Sequence, residues 1–159
     1  MARITQQQKA ENLARYNSII LRVFLDEGWD SVTYDRLAKE TGLRKSTLQG
    51  YYPSNKDFAQ AMQGKVMPIV LEQLDFSSAE AFVESWMKGL EQKRFSMIVR
   101  MFVSNSTKPH PNEFTQRGIL GLKQMLVSHL PDENADEILE SVLGKSVMNL
   151  LFSNKAKFS

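Results

Sequence analysis

Apolar residues recur at helical spacing along nearly the whole chain, and this periodicity limits the possible folds more than any other feature of the sequence. Tyr16, Ile20, Val23 and Phe24 follow an i, i+4, i+7, i+8 pattern, which places them on one face of a helix. No stretch shows the sustained alternation of β-branched and polar residues that marks a half-buried strand. The sequence therefore predicts an all-α protein with about eight helices.

Capping residues and helix breakers divide this pattern into separate helices. Gly28 is expected to end a first helix over residues 6–27, and Thr33 to cap a short second helix that ends at Thr41 and Gly42. A fourth helix is predicted over residues 54–74, with a kink or break at Pro68 because proline lacks a backbone donor. The remaining predictions are helices over residues 44–52, 77–92, 95–103, 113–129 and 132–155, and a loop over residues 104–111.

Basic residues are concentrated in the N-terminal third. Residues 1–56 carry nine basic and six acidic side chains, a net charge of +3, whereas the remaining eleven basic and twelve acidic side chains give −1. An excess of positive charge at the N-terminal end is what a phosphate-binding surface requires. A solvated face with a mild bias would give the same numbers, so charge alone leaves both interpretations open.

Composition argues against several other classes of protein. The chain has no cysteine, so neither a disulfide framework nor thiolate chemistry is expected. No apolar run approaches the roughly 18 residues of a membrane span, and the first residues lack the apolar core of a signal peptide. These features predict a cytoplasmic protein without a membrane partner.

Catalytic and metal-binding motifs are not recognisable in the sequence. The two histidines, His110 and His129, do not occur in a metal-ligand spacing. No glycine-rich phosphate loop, serine elbow or paired-carboxylate arrangement stands out. We therefore expect no enzymatic activity, no cofactor and no metal.

The most informative stretch is a short helix, a Thr-Gly-Leu turn and a second short helix. Ala38 is small where two helices must cross closely, and Gly42 stands where a tight turn favours a left-handed residue. Leu37, Leu43 and Leu48 supply apolar contacts between the helices. The residues then left exposed on the third helix can donate to phosphates and base edges in a major groove. They are Arg44, Lys45, Thr47, Gln49 and Tyr51.

Residues 16–58 (YNSIILRVFLDEGWDSVTYDRLAKETGLRKSTLQGYYPSNKDF) resemble the DNA-binding domain of the TetR family of transcription regulators. Several similar features occur in register. They are a helix ending in Phe-x-x-x-Gly, a Thr that starts the second helix, Leu-Ala, a Gly-Leu turn, Thr-Leu in the third helix, an aromatic pair and Pro-Ser. The resemblance covers about the first third of the chain.

This resemblance implies a DNA-binding domain over residues 1–64, with a helix-turn-helix at about 33–52, and a helical regulatory and dimerisation domain over residues 65–159. By the same resemblance, Thr33 touches a phosphate, Tyr51 contacts the DNA backbone, and Tyr52 packs under the third helix while offering its hydroxyl. The predicted DNA-binding residues are Thr33, Arg44, Lys45, Ser46, Thr47, Gln49, Tyr51, Tyr52 and Lys56. The family commonly represses transcription as a homodimer on a palindromic operator, under the control of a small ligand.

The chain departs from the family pattern at three positions. Arg44 stands where the family usually has a serine cap, at a cost of about 1 kcal/mol to the third helix. Gln49 replaces a common tyrosine, and Lys56 lies one place after the expected lysine. Since Arg matches guanine and Gln matches adenine in the major groove, Arg44 and Gln49 are candidate base readers.

The C-terminal part shows no family signature in its sequence, but its composition suggests two sites. Methionine and aromatic residues can line an adaptable apolar pocket or simply form a core. The predicted pocket residues are Met62, Val66, Trp86, Leu90, Met101 and Phe102.

The last two helices contain glycines, and the eighth has a broad apolar stripe. These features favour a four-helix dimer interface, or a stripe that packs on the monomer's own core. The predicted interface residues are Gly118, Leu122, Met125, Leu139, Leu143, Val147 and Leu150.

Three functions remain open at this point. The first is a homodimeric repressor whose DNA affinity responds to a small apolar ligand. The second is a DNA-binding protein without a ligand, favoured by the short C-terminal part. The third is a helical protein-interaction adaptor that no longer binds DNA.

Overall fold

The computed structural model describes residues 3–111 and 113–153, and within these ranges the protein is all-α, as the sequence predicted. In chain order the α-helices are α1 (Gln6–Glu27), α2 (Tyr34–Thr41), α3 (Lys45–Tyr51), α4 (Val66–Gln73), α5 (Ala79–Gly89), α6 (Lys93–Ser106), α7 (Glu113–His129) and α8 (Ala135–Phe152). Two 3-10 segments, Trp29–Ser31 and Asn55–Met62, connect helices near the N-terminus. Among the described residues, no helix combines the length and apolar character needed to cross a lipid bilayer.

The chain divides between residues 66 and 67 into two compact units. In the N-terminal unit, α1 packs on α2 and on the 3-10 segment Asn55–Met62, and α2 packs on α3. In the C-terminal unit, α8 packs on α5, α6 and α7. Each unit has its own apolar core, with Ile20 and Phe24 fully buried in the first and Ile98 and Leu122 fully buried in the second.

Helix α1 has the bounds and the buried face that the sequence predicted. Thr5 caps its N-terminus: the Thr5 hydroxyl accepts from the Gln8 amide at 3.1 Å, and the Gln8 side chain accepts from the Thr5 amide at 3.0 Å. At the other end Gly28 has φ +98°, and its amide donates to the Phe24 carbonyl at 2.8 Å. The predicted apolar face is buried, including Tyr16 and Val23.

The predicted fourth helix over residues 54–74 is in fact two segments, and the predicted kink at Pro68 is wrong. A 3-10 segment ends at Met62, and α4 starts at Val66 after a turn in which Gly64 has φ +75°. Pro68 is the third residue of α4. The amides of the first helical turn have no intrahelical acceptor, so proline there sacrifices no hydrogen bond.

Helices α5, α6 and α8 end or begin a few residues from their predicted bounds. Helix α5 stops at Gly89, before residue 92, while α6 continues to Ser106 and so takes in the first residues of the predicted loop over 104–111. The Ser106 hydroxyl donates to the Val103 carbonyl at 2.6 Å, within the last turn of α6. Helix α8 begins at Ala135, not at residue 132, because Asn134 is its cap and accepts from the Glu137 amide at 3.2 Å. Its predicted end at residue 155 lies outside the described residues.

A buried polar chain joins α5 to α8 inside the C-terminal core. The Trp86 indole Nε1 donates to the Ser146 hydroxyl at 2.7 Å, and that hydroxyl donates in turn to the Val142 carbonyl at 2.6 Å. Trp86 is 1% exposed and Ser146 is 0% exposed. Because no water reaches the indole N–H, Ser146 is what satisfies it.

We expect Ser146→Ala to lower the free energy of unfolding by about 1–3 kcal/mol, because the Trp86 N–H would stay buried without an acceptor. Urea denaturation followed by tryptophan fluorescence measures this loss. The matched control is Ser141→Ala, at an exposed position of the same helix, for which we expect a change within about 0.5 kcal/mol. Equal effects of the two substitutions would contradict a structural role for the Trp86–Ser146 bond.

Candidate nucleic-acid interface

Helices α2 and α3 are joined by a tight turn at residues 42–44. Gly42 has φ +74°, the left-handed conformation that the sequence predicted for it, and its amide donates to the Ala38 carbonyl at 2.9 Å. The Thr41 hydroxyl donates to the Leu37 carbonyl at 2.6 Å and accepts from the Leu43 amide at 3.2 Å. The turn is therefore fixed by local hydrogen bonds on both sides of the glycine.

The C-terminal end of α3 is held against α1 and α2 by tyrosines. The Tyr52 hydroxyl donates to Asn17 Oδ1 on α1 at 2.6 Å, and the Tyr34 hydroxyl at the start of α2 donates to the Tyr52 carbonyl at 2.5 Å. The Phe58 ring lies 5.2 Å from the Tyr52 ring and 4.8 Å from the Tyr34 ring, centroid to centroid. Leu48, fully buried, anchors the middle of α3.

Tyr52 belongs to the core. It is 1% exposed, and burial, with smaller contributions from Tyr16 and Tyr51, raises the pKa of its hydroxyl well above the usual range. The resemblance implied that Tyr52 packs under the third helix while offering its hydroxyl. In the structure Tyr52 is buried, but its hydroxyl is hydrogen-bonded to Asn17 inside the unit.

The outward face of α3 is polar and exposed. Arg44 occupies the cap position in extended conformation without a side-chain cap bond, as its residue type indicated. Its carbonyl accepts from the Thr47 and Leu48 amides, each at 3.1 Å, so the helix starts without a capping hydroxyl. The side chains of Arg44, Lys45, Ser46, Thr47 and Gln49 are exposed.

The remaining predicted contact residues differ in their exposure. Thr33 is exposed and caps α2, accepting from the Arg36 amide at 3.1 Å. Tyr51 is half-buried: its ring packs edge-on against Tyr16 at 5.1 Å, and its hydroxyl accepts from Asn12 Nδ2 at 3.5 Å. Lys56 is exposed on the 3-10 segment that follows α3.

Lys45 forms an ion pair with Asp35 that sequence reasoning did not identify. Its ammonium contacts the carboxylate of Asp35, which lies in the first turn of α2. The Lys45 side chain is 56% exposed and that of Asp35 is 78% exposed, so the pair lies on the surface. The two residues are ten positions apart, and only the geometry of the α2–α3 turn brings them together.

A second set of ion pairs braces α1 against α2. Arg36 pairs with Glu27 at 2.5 Å and with Glu40 at 2.9 Å, and Arg22 also pairs with Glu40 at 2.9 Å. Hydrogen bonds from Arg22 and then from Arg36 lower the pKa of the Glu40 carboxyl. These four side chains neutralise one another, and they leave the positive charge of this unit to residues such as Arg44 and Lys56.

The predicted pocket residues are mostly core. Met62 and Val66 are buried in the N-terminal unit, and Trp86, Leu90 and Phe102 are buried in the C-terminal unit, where Met101 is half-buried. The Trp86 ring lies 5.2 Å from Phe95, edge to face. Two open surface grooves occur in the C-terminal unit, one of about 430 Å³ on α7 and one of about 570 Å³ between α5 and α8, and none of the predicted pocket residues lines either.

The residues predicted for a dimer interface divide between core and surface. Leu122 and Leu139 are buried, and a Cβ on Gly118 would lie 3.0 Å from Cζ of Phe102, so these positions serve the unit's own packing. Val147 is 39% exposed, whereas Met125, Leu143 and Leu150 are intermediate. Large apolar side chains of α7 and α8 outside this predicted set are more exposed than its members. They are Leu120 and Val127 on α7 and Met148, Leu151 and Phe152 on α8.

Comparison with known families identifies the C-terminal part. A family model described as the tetracycline repressor LuxT C-terminal domain matches residues 63–150, more than half of the chain. The chain belongs to this family. No curated protein matches the chain.

The match makes this chain a tetracycline repressor-like regulator. It covers the part in which no family signature was recognisable from sequence alone, and it does not include residues 1–62, which contain most of the stretch that resembles the TetR family. Two separate parts of the chain thus point to one class of regulator. Among the residues that the structure describes, no group of three or more His, Asp or Glu side chains is arranged to hold a metal ion.

We expect Tyr52→Phe to destabilise this regulator by about 1 kcal/mol, because the side-chain oxygen Oδ1 of the half-buried Asn17 would lose its donor. Thermal and urea denaturation of the full chain measure the change. The matched control is Tyr51→Phe, whose hydroxyl is bonded only at 3.5 Å and should contribute less. A larger loss for Tyr51→Phe than for Tyr52→Phe would contradict the assignment of Tyr52 as the residue that holds α3.

Proposed function

We propose that this tetracycline repressor-like chain is a DNA-binding transcription regulator that reads a major groove with α3. One observation carries the proposal: α3 is anchored by the buried Leu48 and Tyr52, while its other face presents exposed polar and basic side chains. A rigidly held short helix with such a face is the reading element of helix-turn-helix proteins. The family to which residues 63–150 belong supports this proposal.

Charge supports the same surface. Residues 1–56 have a net charge of +3, and Arg22 and Arg36 are already paired with glutamates between α1 and α2. The excess positive charge is therefore carried by other basic residues. Among them are Arg44, at the start of α3, and Lys56, on the 3-10 segment that follows α3. Basic side chains that replace condensed counterions supply most of the non-specific affinity for DNA.

The side chains of this surface are suited to different contacts. Hydroxyls of Thr33, Ser46 and Thr47 and the ammonium of Lys56 are donors for phosphate oxygens. Arg44 and Gln49 have the donor geometry for guanine and adenine edges, respectively. In this proposal Tyr51 offers its hydroxyl to the DNA backbone, whereas Tyr52 acts only by holding α3 in place.

We further propose that the regulator is a homodimer formed through α7 and α8. On α8, Val147, Met148 and Leu151 follow i, i+1, i+4 spacing and are 39%, 56% and 67% exposed. On α7, Leu120 and Val127 lie seven residues apart and thus on one face, at 58% and 52% exposure. Apolar faces of this kind on adjacent helices are typical of a subunit interface.

The glycines of these helices fit the same interface. A Cβ on Gly121 or on Gly144 would meet no atom within 4 Å, so packing inside the unit does not require glycine at either position. Glycine in a helix interior costs about 1 kcal/mol relative to alanine. Close approach of a second subunit's helices would offset that cost.

A symmetric dimer would place two copies of α3 on the half-sites of a palindromic operator, about one helical turn apart.

Repression is the sign of regulation that the family description favours. Control by a small apolar ligand would act through the C-terminal unit, around Trp86, Leu90, Met101 and Phe102. A specific observation favours the second candidate, a regulator without a ligand: Trp86 packs on Phe95 and bonds to Ser146, so this region is filled by side chains. Stabilisation of the C-terminal unit by a small molecule would separate the two candidates.

Selection from random duplexes tests the DNA-binding proposal. We expect the wild-type chain to enrich a palindrome, with affinity falling by at least about tenfold between 50 and 200 mM salt because several phosphates are contacted. Arg44→Ala should relax the preference at one base position at a cost of about 1–3 kcal/mol. The matched control, Lys88→Ala on the exposed surface of α5, should bind like the wild type.

Two results would count against this proposal. If no duplex binds at low salt, the chain is not a DNA-binding regulator, and the protein-interaction adaptor becomes the leading function. If Arg44→Ala weakens binding equally for every base, Arg44 contacts phosphate only and does not read sequence.

Analytical ultracentrifugation tests the homodimer. We expect a dimer at micromolar concentration and its loss in Leu151→Glu, since a charge would then be buried in an apolar interface. The fold of the subunit should persist, because Leu151 is 67% exposed. Lys145→Glu, at an exposed position of α8, is the matched control and should leave the dimer intact. A monomeric wild type would contradict the proposed interface.

A further inference from the structure

Asp35 is an acidic side chain on a surface that otherwise attracts phosphate. It lies in the first turn of α2, two residues after Thr33, and its carboxylate contacts the ammonium of Lys45, the first residue of α3. Both side chains are more than half exposed. The ion pair therefore bridges the two helices on the face that the proposed function assigns to DNA.

The pair changes what Lys45 offers to DNA. A lysine engaged by a carboxylate brings no net positive charge, so a phosphate gains little from it unless the pair opens. Opening is easy, because exposed pairs change an equilibrium constant by at most about fivefold. Once Lys45 has moved to a phosphate, Asp35 is left facing a negatively charged backbone, which it repels.

A G·C base pair accepts both members of the ion pair together. In the major groove guanine presents the acceptors O6 and N7, and cytosine presents the N4 amino donor beside them. Lysine donates to the guanine acceptors, and aspartate accepts from the cytosine amino group. An adjacent ammonium and carboxylate thus complement the edge of one G·C pair, whereas phosphates satisfy only the ammonium.

We propose that Asp35 is a specificity-determining residue, which directs Lys45 away from phosphates of unrelated DNA and toward a G·C pair in each operator half-site. This inference rests on the proposed DNA-binding function. It assigns to an acidic residue of α2 a role in the reading surface of α3.

The experiment measures binding of the full chain to its selected duplex and to an unrelated duplex, at 50 and 200 mM salt. The variants are Asp35→Asn, Lys45→Ala and the double variant. Asp30→Asn, at an exposed position of the 3-10 turn Trp29–Ser31, is the control for loss of one negative charge elsewhere in the unit. Asp35→Glu keeps the charge and should retain wild-type selectivity. Circular dichroism checks folding, and Asp35→Ser replaces Asp35→Asn if that variant does not fold.

We expect Asp35→Asn to bind unrelated DNA about fivefold more tightly at 50 mM salt and to steepen the salt dependence by about one unit of slope. Its selected site should lose a G·C preference at one position of each half-site. In the Lys45→Ala background the same substitution should have an effect about fivefold smaller, because no lysine remains to be released.

Four results would overturn the inference. Equal effects of Asp35→Asn with and without Lys45 would show that Asp35 acts only by repelling the DNA backbone. An equal effect of Asp30→Asn would show that the position of the lost negative charge does not matter. Unchanged selectivity in Asp35→Asn, with salt-dependent binding by the wild type, would refute the role of Asp35 while leaving the DNA-binding proposal standing. Absence of any duplex binding by the wild type would refute both.

Discussion

The position of α3 depends above all on the contacts of Tyr52 beneath it, with Leu48 as the second buried anchor. Tyr52 fills the space beneath the helix, its hydroxyl reaches Asn17 on α1, and its carbonyl accepts from Tyr34 at the start of α2. A helix of seven residues is too short to be stable alone, so tertiary contacts must supply its order. Because these contacts are all on the inner side, the outer side is free to carry polar residues. The proposed reading surface follows from this division.

The C-terminal unit divides its apolar residues in a similar way. Trp86, Leu122 and Leu139 are enclosed by the unit itself, whereas Leu120, Met148 and Leu151 remain on the outside of α7 and α8. A folded monomer has little reason to retain such a surface on neighbouring helices. In the proposed homodimer a second subunit would cover this surface and would explain Gly144, where a Cβ would meet no atom within 4 Å. The family match to residues 63–150 covers both sets of residues.

Sequence predicted the elements that depend on local chemistry and missed those that depend on tertiary placement. The bounds of α1 followed from apolar spacing and Gly28, and the left-handed turn followed from Gly42. The break near Gly64 was assigned to Pro68, because the cost of proline depends on its place in a helix that sequence alone does not locate. Helical periodicity placed Leu139 and Val147 in the same predicted interface. Only the folded structure shows that Leu139 is buried within the unit whereas Val147 is exposed.

Hydrogen exchange of the full chain with and without a pool of random duplexes at low salt tests the central claim, that α3 is the DNA-reading element. Amide protection on binding should appear at the start of α2 and across residues 42–52, with the surfaces of α5 and α6 unchanged. Protection confined to the C-terminal unit, or none anywhere under conditions where the duplexes bind, would contradict the account.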